Sequence, residues 1–84
     1  MKIRNRRGLH ARAAALFAKT AQGYDAAVAV ARQDLVVDGT SIMDLMMLAA
    51  GPGADLRIET DGRDAEDAAN ALAALVGAGF NEPG

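Results

Sequence analysis

The sequence predicts an α+β fold in which helices cover one face of an antiparallel sheet. Three helical segments, each with one apolar stripe, alternate with short segments whose apolar residues recur at every second position. Two of these strand-like segments are separated only by a tight turn at Gln33 and Asp34, which predicts an antiparallel hairpin. The length of 84 residues fits one small domain, so we expect a single domain over residues 1–84.

The first part of the chain predicts a short strand followed by a long helix. Residues 2–5 have strand character with Ile3 pointing inward, and Gly8 then turns the chain. Residues 11–22 are alanine-rich, with apolar residues at the spacing of an amphipathic helix that Gly23 ends. The predicted buried stripe consists of Ala14, Phe17, Ala18 and Ala21.

The middle of the chain predicts a hairpin and a second helix. Residues 26–32, with Val28 and Val30 in alternation, pair with residues 35–37. Ser41 then opens a helix, with Asp44 three residues later as in a capping box, and the Gly-Pro-Gly segment at residues 51–53 ends it. The expected buried stripe of this helix consists of Ile42, Leu45, Met46 and Ala49.

The last third predicts a strand and a third helix, which gives the element order βαββαβα. In residues 56–61 the charged side chains of Arg57, Glu59 and Asp61 alternate with Leu56, Ile58 and Thr60, as in a strand with one exposed face. Asp64 is the expected N-cap of a helix that Gly77 and Gly79 close. The expected apolar positions of this helix are Ala65, Ala68, Ala69, Leu72, Leu75 and Val76.

Composition excludes several classes of protein. The chain has no cysteine, which excludes a disulfide framework, thiolate chemistry and the usual zinc sites. The single histidine argues against a histidine-rich metal site, and we expect neither a metal nor a cofactor. No apolar run approaches the roughly 20 residues of a membrane span. The basic start lacks the pattern of a signal peptide, so the cytoplasm is the expected location.

Charge is distributed unevenly along the chain. Residues 1–12 hold five of the nine basic residues and no acid, whereas residues 61–82 hold five acids and one arginine. This polarity indicates an anionic partner near His10, although from composition alone a simple bias near a terminus explains it slightly better. Nucleic acid is not the expected partner, because the net charge is −2 and no aromatic residues are interleaved with the basic ones.

The only histidine, His10, lies at the predicted start of the first helix. A helix N-terminus offers unpaired N–H groups and a partial positive charge, which suit an anion such as phosphate. The planar guanidinium of Arg12 can clamp phosphate oxygens, and a histidine nitrogen can carry a phosphoryl group. These residues predict a phosphohistidine site; the alternative is an exposed histidine and a solvated arginine beside a helix cap.

Three blocks of sequence resemble one protein family. Residues 8–12, Gly-Leu-His-Ala-Arg, resemble the active-site motif of the HPr family, the histidine-containing phosphocarriers of the bacterial phosphotransferase system. Residues 41–46 resemble the family's regulatory-serine helix, and residues 74–80 resemble its C-terminus. The resemblance covers essentially the whole chain and implies an open-faced sandwich, in which three helices pack on one face of a four-stranded antiparallel sheet.

The resemblance also implies a function. His10 would accept the phosphoryl group on Nδ1, as pros-phosphohistidine, and Arg12 would stabilise the phosphate. The donor would be Enzyme I, itself charged by phosphoenolpyruvate, and the acceptor an Enzyme IIA. Such a protein is a stoichiometric relay and not an enzyme in the turnover sense. It would be a monomer without nucleic-acid or membrane partners, and it could serve sugar uptake or a nitrogen-linked regulatory branch.

For Ser41 and for the methionines of the second helix, the sequence is compatible with both a structural and a functional role. Serine is a favoured N-cap, worth about 1 kcal/mol over alanine, and the resemblance adds phosphorylation by an HPr kinase/phosphorylase. Met43 and Met47 form either an adaptable docking surface or part of a wide buried face. The resemblance favours a partner surface made of Leu9, Phe17, Met43, Met46, Met47 and Leu48.

The sequence departs from the family pattern in two places. Ala13 stands where the family has proline, a residue whose fixed backbone angle suits the first turn of a helix. Alanine restores an N–H near the phosphate site, so we expect the site to survive with altered pre-organisation. Nine residues precede His10, fewer than in most members, and we therefore expect a shortened or shifted first strand.

Two other functions are compatible with an α+β domain of this size. A non-catalytic regulatory module could sense state through Ser41, but it would have no need of His10 and Arg12 together. A small RNA-binding domain would need an aromatic platform on its sheet, which the sequence does not supply.

Overall fold

The computed structural model describes residues 1–83, and over these residues it contains three α-helices and three strands. No helix in this range is long and apolar enough to cross a membrane. The elements in chain order are α1 (Ala11–Gln22), β1 (Ala27–Arg32), β2 (Leu35–Asp38), α2 (Ile42–Met47), β3 (Arg57–Asp61) and α3 (Ala65–Gly77), with a short 3₁₀ segment at Gly79–Asn81.

The sheet is antiparallel, with β1 between β2 and β3. The predicted hairpin at residues 33–34 is confirmed, because β1 pairs with β2 directly across that turn. Val30 lies opposite both Val37 and Ile58, so these three side chains share the face that meets the helices. Ala29 lies opposite Glu59 on the other face, where charged side chains are exposed.

The predicted four-stranded sheet is not confirmed in residues 1–83. The segment expected to form the first strand makes one bridge pair, Lys2 with Asp55. Its hydrogen bonds are nevertheless strand-like, because Ile3 N–H donates to Ala54 O (2.9 Å) and Gly53 N–H donates to Ile3 O (2.8 Å). The pairing stops there because the chain bends at Asn5 and turns at Arg6 and Arg7. Ile3 is buried, as the sequence predicts.

The helices and the sheet enclose one apolar core. The whole predicted stripe of α1 is buried, and Phe17 is fully enclosed. In α3 the buried side chains are Ala68, Leu72 and Val76, whereas Leu75 is only half-buried. Phe80, in the 3₁₀ segment, adds a second aromatic ring to the same core. The C-terminal segment is therefore held against α1, close to the start of that helix.

The second helix is shorter than the sequence predicts. It ends at Met47, and the N–H groups of Leu48 and Ala49 close it with bonds three residues back, to Leu45 and Met46. The expected buried stripe is wrong for three of its four residues, because only Leu45 is buried and Ile42, Met46 and Ala49 are exposed. The helix ends at Met47, before the Gly-Pro-Gly segment at residues 51–53 is reached, because Leu48 and Ala50 are drawn into the core.

Asp64 precedes α3, but its side chain does not cap that helix. Its carboxylate accepts a hydrogen bond from Asp25 N–H at 2.8 Å instead, and Asp64 N–H donates to Asp25 O at 2.9 Å. The predicted cap is thus replaced by a reciprocal tie between the start of α3 and the turn before β1.

Candidate functional site

The loop before α1 is held by Asn5, Gly8 and Ala50. Gly8 N–H donates to Asn5 O at 3.2 Å, and Leu9 N–H donates to Ala50 O at 2.8 Å. Gly8 has a φ of +65°, and a Cβ at this position would lie 2.3 Å from Ala50 O. Both the backbone angle and the close approach of residue 50 require glycine here, and they set where His10 enters the helix.

His10 is the N-cap of α1, as the sequence predicts for its place in the chain. Its backbone is extended (φ −75°, ψ 178°), and its carbonyl accepts Ala14 N–H at 2.8 Å as the first bond of the helix. The ring nitrogen Nδ1 accepts Arg12 N–H at 3.3 Å. The N–H of the fully buried Ala13 precedes the first intrahelical bond. Nδ1 therefore lies at the positive end of the helix dipole.

The other ring nitrogen, Nε2, is hydrogen-bonded to Glu82 Oε2. Both side chains are 15% exposed, so the pair lies in a shallow recess. Glu82 Oε1 accepts a second bond, from Asn5 Nδ2 at 2.9 Å. The hydrogen bond from Asn5, together with the one from His10, lowers the pKa of Glu82 and keeps it ionised.

Sequence reasoning missed Asn5 and Glu82 as site residues. The sequence places Glu82 in the acidic part of the chain, 72 residues from His10, and only the fold brings it to the basic end. The residue lies there because Phe80 anchors the preceding turn in the core. The signals available in the sequence were an acidic residue two positions after an aromatic one, Phe80, and a polar residue, Asn5, three positions before the His10 motif.

Basic side chains gather beside His10, as the charge distribution predicts. Arg6, Arg7 and Arg12 line an open cavity of about 340 Å³ together with Glu82 and Pro83. Among residues 1–83 the guanidinium of Arg12 forms no salt bridge, so it is available to an anion. A phosphate group on Nδ1 would meet this positive surface and the helix N-terminus together.

Ser41 is the N-cap of α2, which confirms half of the predicted capping box. Its Oγ accepts Asp44 N–H at 3.2 Å. The reciprocal bond is missing, because the Asp44 carboxylate accepts Asp38 N–H at 3.3 Å instead. Ser41 is half-buried, so part of its side chain reaches solvent.

Of the six residues of the predicted partner surface, the three methionines are exposed. Met43, Met46 and Met47 are 77%, 44% and 65% exposed, which contradicts the buried-face explanation for Met43 and Met47. The remaining three residues of the predicted surface face the core instead: Leu9, Phe17 and Leu48, each at most 5% exposed. Burial of Phe17 agrees with its place in the predicted stripe of α1. Leu9 and Leu48 are buried because the loop before α1 and the end of α2 fold inward. Contact of the methionines with a partner stays a prediction.

Within residues 1–83, no three His, Cys, Asp or Glu side chains are grouped as they would be to hold a metal ion. The site described above is thus made of one imidazole, a carboxylate, an amide and three guanidinium groups.

Comparison with known proteins places this geometry in a family. A family model described as "PTS HPr component phosphorylation site" matches residues 1–78. The phosphocarrier protein HPr of Pseudomonas aeruginosa is 48% identical over 81 residues, which cover 95% of this chain and 90% of that protein.

Two solved structures from Thermoanaerobacter tengcongensis have the same fold. The structure described as HPr-C-His has a TM-score of 0.95 at 36% identity and covers 99% of this chain and 93% of its own. The structure described as an HPr dimer has a TM-score of 0.83 at 36% identity, with 98% and 94% covered.

Proposed function

This chain belongs to the PTS HPr family of phosphocarriers, and we propose that it relays a phosphoryl group from Enzyme I to an Enzyme IIA through His10. The observation that carries the proposal is the environment of Nδ1. This nitrogen accepts a hydrogen bond from the first turn of α1, beside the surface formed by Arg6, Arg7 and Arg12.

The reaction is an in-line transfer. The lone pair of Nδ1 attacks phosphorus, an N–P bond forms, and the bond to the Enzyme I donor breaks with its electron pair leaving on the donor. In the second step a histidine of the Enzyme IIA attacks the same phosphorus, and the N–P electron pair returns to Nδ1. The carrier contributes positioning and charge stabilisation, which are the main sources of rate in phosphoryl transfer.

Arg12 is the residue that would hold the phosphate oxygens. Its side chain is exposed at the cavity, and its backbone N–H already lies against Nδ1. A guanidinium can donate two parallel hydrogen bonds to phosphate, a geometry that an ammonium lacks. The helix N–H groups and Arg12 together would stabilise the anion without forming a stable ester.

We propose a regulatory role for Ser41 that is compatible with its cap. A phosphate on Oγ would meet the N-terminus of α2 favourably, so the helix need not unfold. The added charge would lie beside Met43 and the other exposed methionines, where we expect the partner proteins to dock. An HPr kinase/phosphorylase is the expected modifying enzyme.

The monomeric state and the cytoplasmic location also stay predictions. A relative in this family has been crystallised as an HPr dimer, so the oligomeric state of this chain requires measurement by sedimentation. The acceptor branch can be identified by offering sugar-specific and nitrogen-linked Enzyme IIA proteins in parallel.

The relay is tested by mixing the protein with Enzyme I and phosphoenolpyruvate. We expect an acid-labile mass gain of one phosphoryl group that passes on when Enzyme IIA is added. The gain should vanish in His10→Ala. A stable product that does not depend on His10 would contradict the relay and favour a regulatory module.

A further inference from the structure

The Asn5 side chain is nearly enclosed and donates to two acceptors. It is 3% exposed, and its Nδ2 donates to Gly8 O at 2.7 Å and to Glu82 Oε1 at 2.9 Å. Its Oδ1 is buried and finds no donor among residues 1–83. The amide orientation is fixed, because a flip would place Oδ1 against two oxygens. The two donated bonds therefore fix the position of the Asn5 amide between the loop before α1 and Glu82.

The two oxygens of Glu82 both act as acceptors. One receives Asn5 Nδ2, and the other meets His10 Nε2. Only an ionised carboxylate offers two acceptor oxygens in this way. A glutamine would have to turn its NH2 toward either the Asn5 amide or the His10 N–H, and one of the two contacts would then join donor to donor.

The two contacts on the His10 ring select the same tautomer. Because the Glu82 carboxylate can only accept, Nε2 must carry the hydrogen. Because Arg12 N–H donates to Nδ1, that nitrogen must hold the lone pair. The two contacts reach different ring nitrogens and come from parts of the chain that are far apart in sequence.

We propose that Asn5 and Glu82 are a positioning pair that holds His10 in the Nε2–H tautomer, with Nδ1 directed at the incoming phosphorus. This inference rests on the proposed function and deepens it by naming the residues that orient the acceptor. Asn5 acts through Glu82, and Glu82 acts through His10.

The pair also meets the charge that the reaction creates. When Nδ1 bonds to phosphorus, the ring carries a positive charge while Nε2 keeps its hydrogen. The adjacent carboxylate offsets that charge, and no proton has to leave. When the N–P bond breaks, its electron pair returns to Nδ1 and the neutral Nε2–H ring is restored. An orienting carboxylate has the same role behind the histidine of a catalytic triad.

The proposal is tested by nitrogen NMR of the ring, because the chain has one histidine and its signals need no residue assignment. The couplings of each nitrogen to the carbon-bound ring hydrogens distinguish Nδ1 from Nε2. At a pH where the ring is neutral, the wild-type protein should show almost only the Nε2–H tautomer. Glu82→Gln and Asn5→Ala should both shift the ring toward a mixture. Glu66→Gln, which removes the same charge from an exposed position on α3, is the matched control and should not change the ring signals.

Phosphorylation by Enzyme I gives the second readout. Glu82→Gln should lower the initial rate of phosphorylation about tenfold. This is the low end of the loss of activity seen when a residue that orients a metal-binding histidine is removed. Glu66→Gln should keep the wild-type rate. Thermal unfolding of each variant separates a positioning effect from a loss of fold, since Glu82→Gln alters a shallow recess and leaves the core intact.

The outcomes separate this inference from the relay itself. An unchanged tautomer and rate in Glu82→Gln would overturn the positioning pair while the relay stands. The opposite outcome has two parts: both substitutions change the tautomer, but the wild-type protein takes no phosphate from Enzyme I. That outcome would overturn the relay while the positioning pair stands. A wild-type ring that is already a mixture of tautomers would also overturn the positioning pair.

Discussion

At the residue scale, His10 is both a helix cap and the proposed nucleophile. Nδ1 accepts the N–H of Arg12, which is the bond expected of an N-cap side chain. When a phosphoryl group occupies Nδ1, that bond is lost, and the freed N–H can donate to a phosphate oxygen. The cap interaction is thus exchanged for an anion at the helix N-terminus, which the dipole favours. The same backbone group would serve the free carrier and the charged one.

Arg12→Lys should separate transfer from folding. The side chain is exposed and forms no salt bridge among residues 1–83, so the free energy of unfolding should change by less than about 0.5 kcal/mol. The rate of phosphoryl transfer should fall several-fold, because lysine cannot clamp two phosphate oxygens in one plane. Stopped-flow transfer and urea unfolding measure the two quantities. Equal transfer rates in the two proteins would remove Arg12 from the site.

Ser41→Ala should destabilise the protein by about 1 kcal/mol, because Asp44 N–H loses its acceptor. Ser41→Asn keeps a good cap and removes the hydroxyl, so it should retain nearly all of the stability. Incubation with a cognate kinase followed by mass spectrometry should add one phosphate to the wild type and none to either variant. Phosphate addition to Ser41→Asn would show that the modified residue lies elsewhere.

At the element scale, the N-terminus of α1 depends on the loop that precedes it. The bond from Leu9 N–H to Ala50 O joins this loop to the segment after α2, and Gly8 allows the two backbones to approach. The early end of α2 places Ala50 where it binds the loop before α1, so it also determines the position of His10.

Gly8→Ala tests this dependence. The new Cβ would meet Ala50 O at 2.3 Å in addition to the strain of a φ of +65°. Gly53→Ala is the control, because its φ is +82° but its Cβ would enter open space. We expect Gly8→Ala to lower stability by more than the control, whose loss should be on the order of 1 kcal/mol, and to slow phosphorylation of His10 as well. Equal losses of unfolding free energy in the two variants would show that residue 50 moves away from a Cβ at position 8 at little cost.

The elements differ in how well the sequence predicts them. The bounds of α1 and its stripe follow from local periodicity, because the helix buries one apolar stripe along its length and ends at Gly23. The stripe of α2 does not, because the chain leaves that helix early to place Leu48 and Ala50 in the core. The predicted first strand is reduced to one bridge pair, because the chain bends at Asn5 to form the loop before His10. Local sequence patterns do not show this bend.

At the scale of the whole molecule, the site joins parts of the chain that no local pattern connects. The sequence predicts His10, Arg12 and the cap at Ser41, because each acts through neighbours within a few residues. It does not predict Glu82, whose contact with His10 requires the complete fold. The charge distribution shows the same limit, because an acid from the acidic part of the chain lies within the basic cluster.

Stability should fall in acid because folding lowers the pKa of two carboxyl groups, Glu82 and Asp38. Hydrogen bonds from Asn5 and His10 lower the pKa of Glu82 from its ordinary value of 4.5, and those from Thr40 lower the pKa of Asp38. A carboxyl whose pKa is lowered by folding stabilises the protein above its ordinary value, and that stabilisation is lost as the pH falls through the folded value. Unfolding measured from pH 7 downward should therefore show declining stability below about pH 4.5.

Glu82→Gln provides the control for this dependence. The stability difference between wild type and variant should be present at neutral pH and shrink as Glu82 becomes protonated. A difference that stays constant over the whole acid range would show that the Glu82 carboxylate is not held by Asn5 and His10.

The central claim is that one ring nitrogen of His10 carries the phosphoryl group, and phosphorus NMR on nitrogen-labelled protein tests it most directly. After treatment with Enzyme I and phosphoenolpyruvate, the phosphorus signal should show coupling to Nδ1 of the single imidazole and should be absent in His10→Ala. A phosphorus signal without coupling to that ring, or one that persists in His10→Ala, would contradict the account.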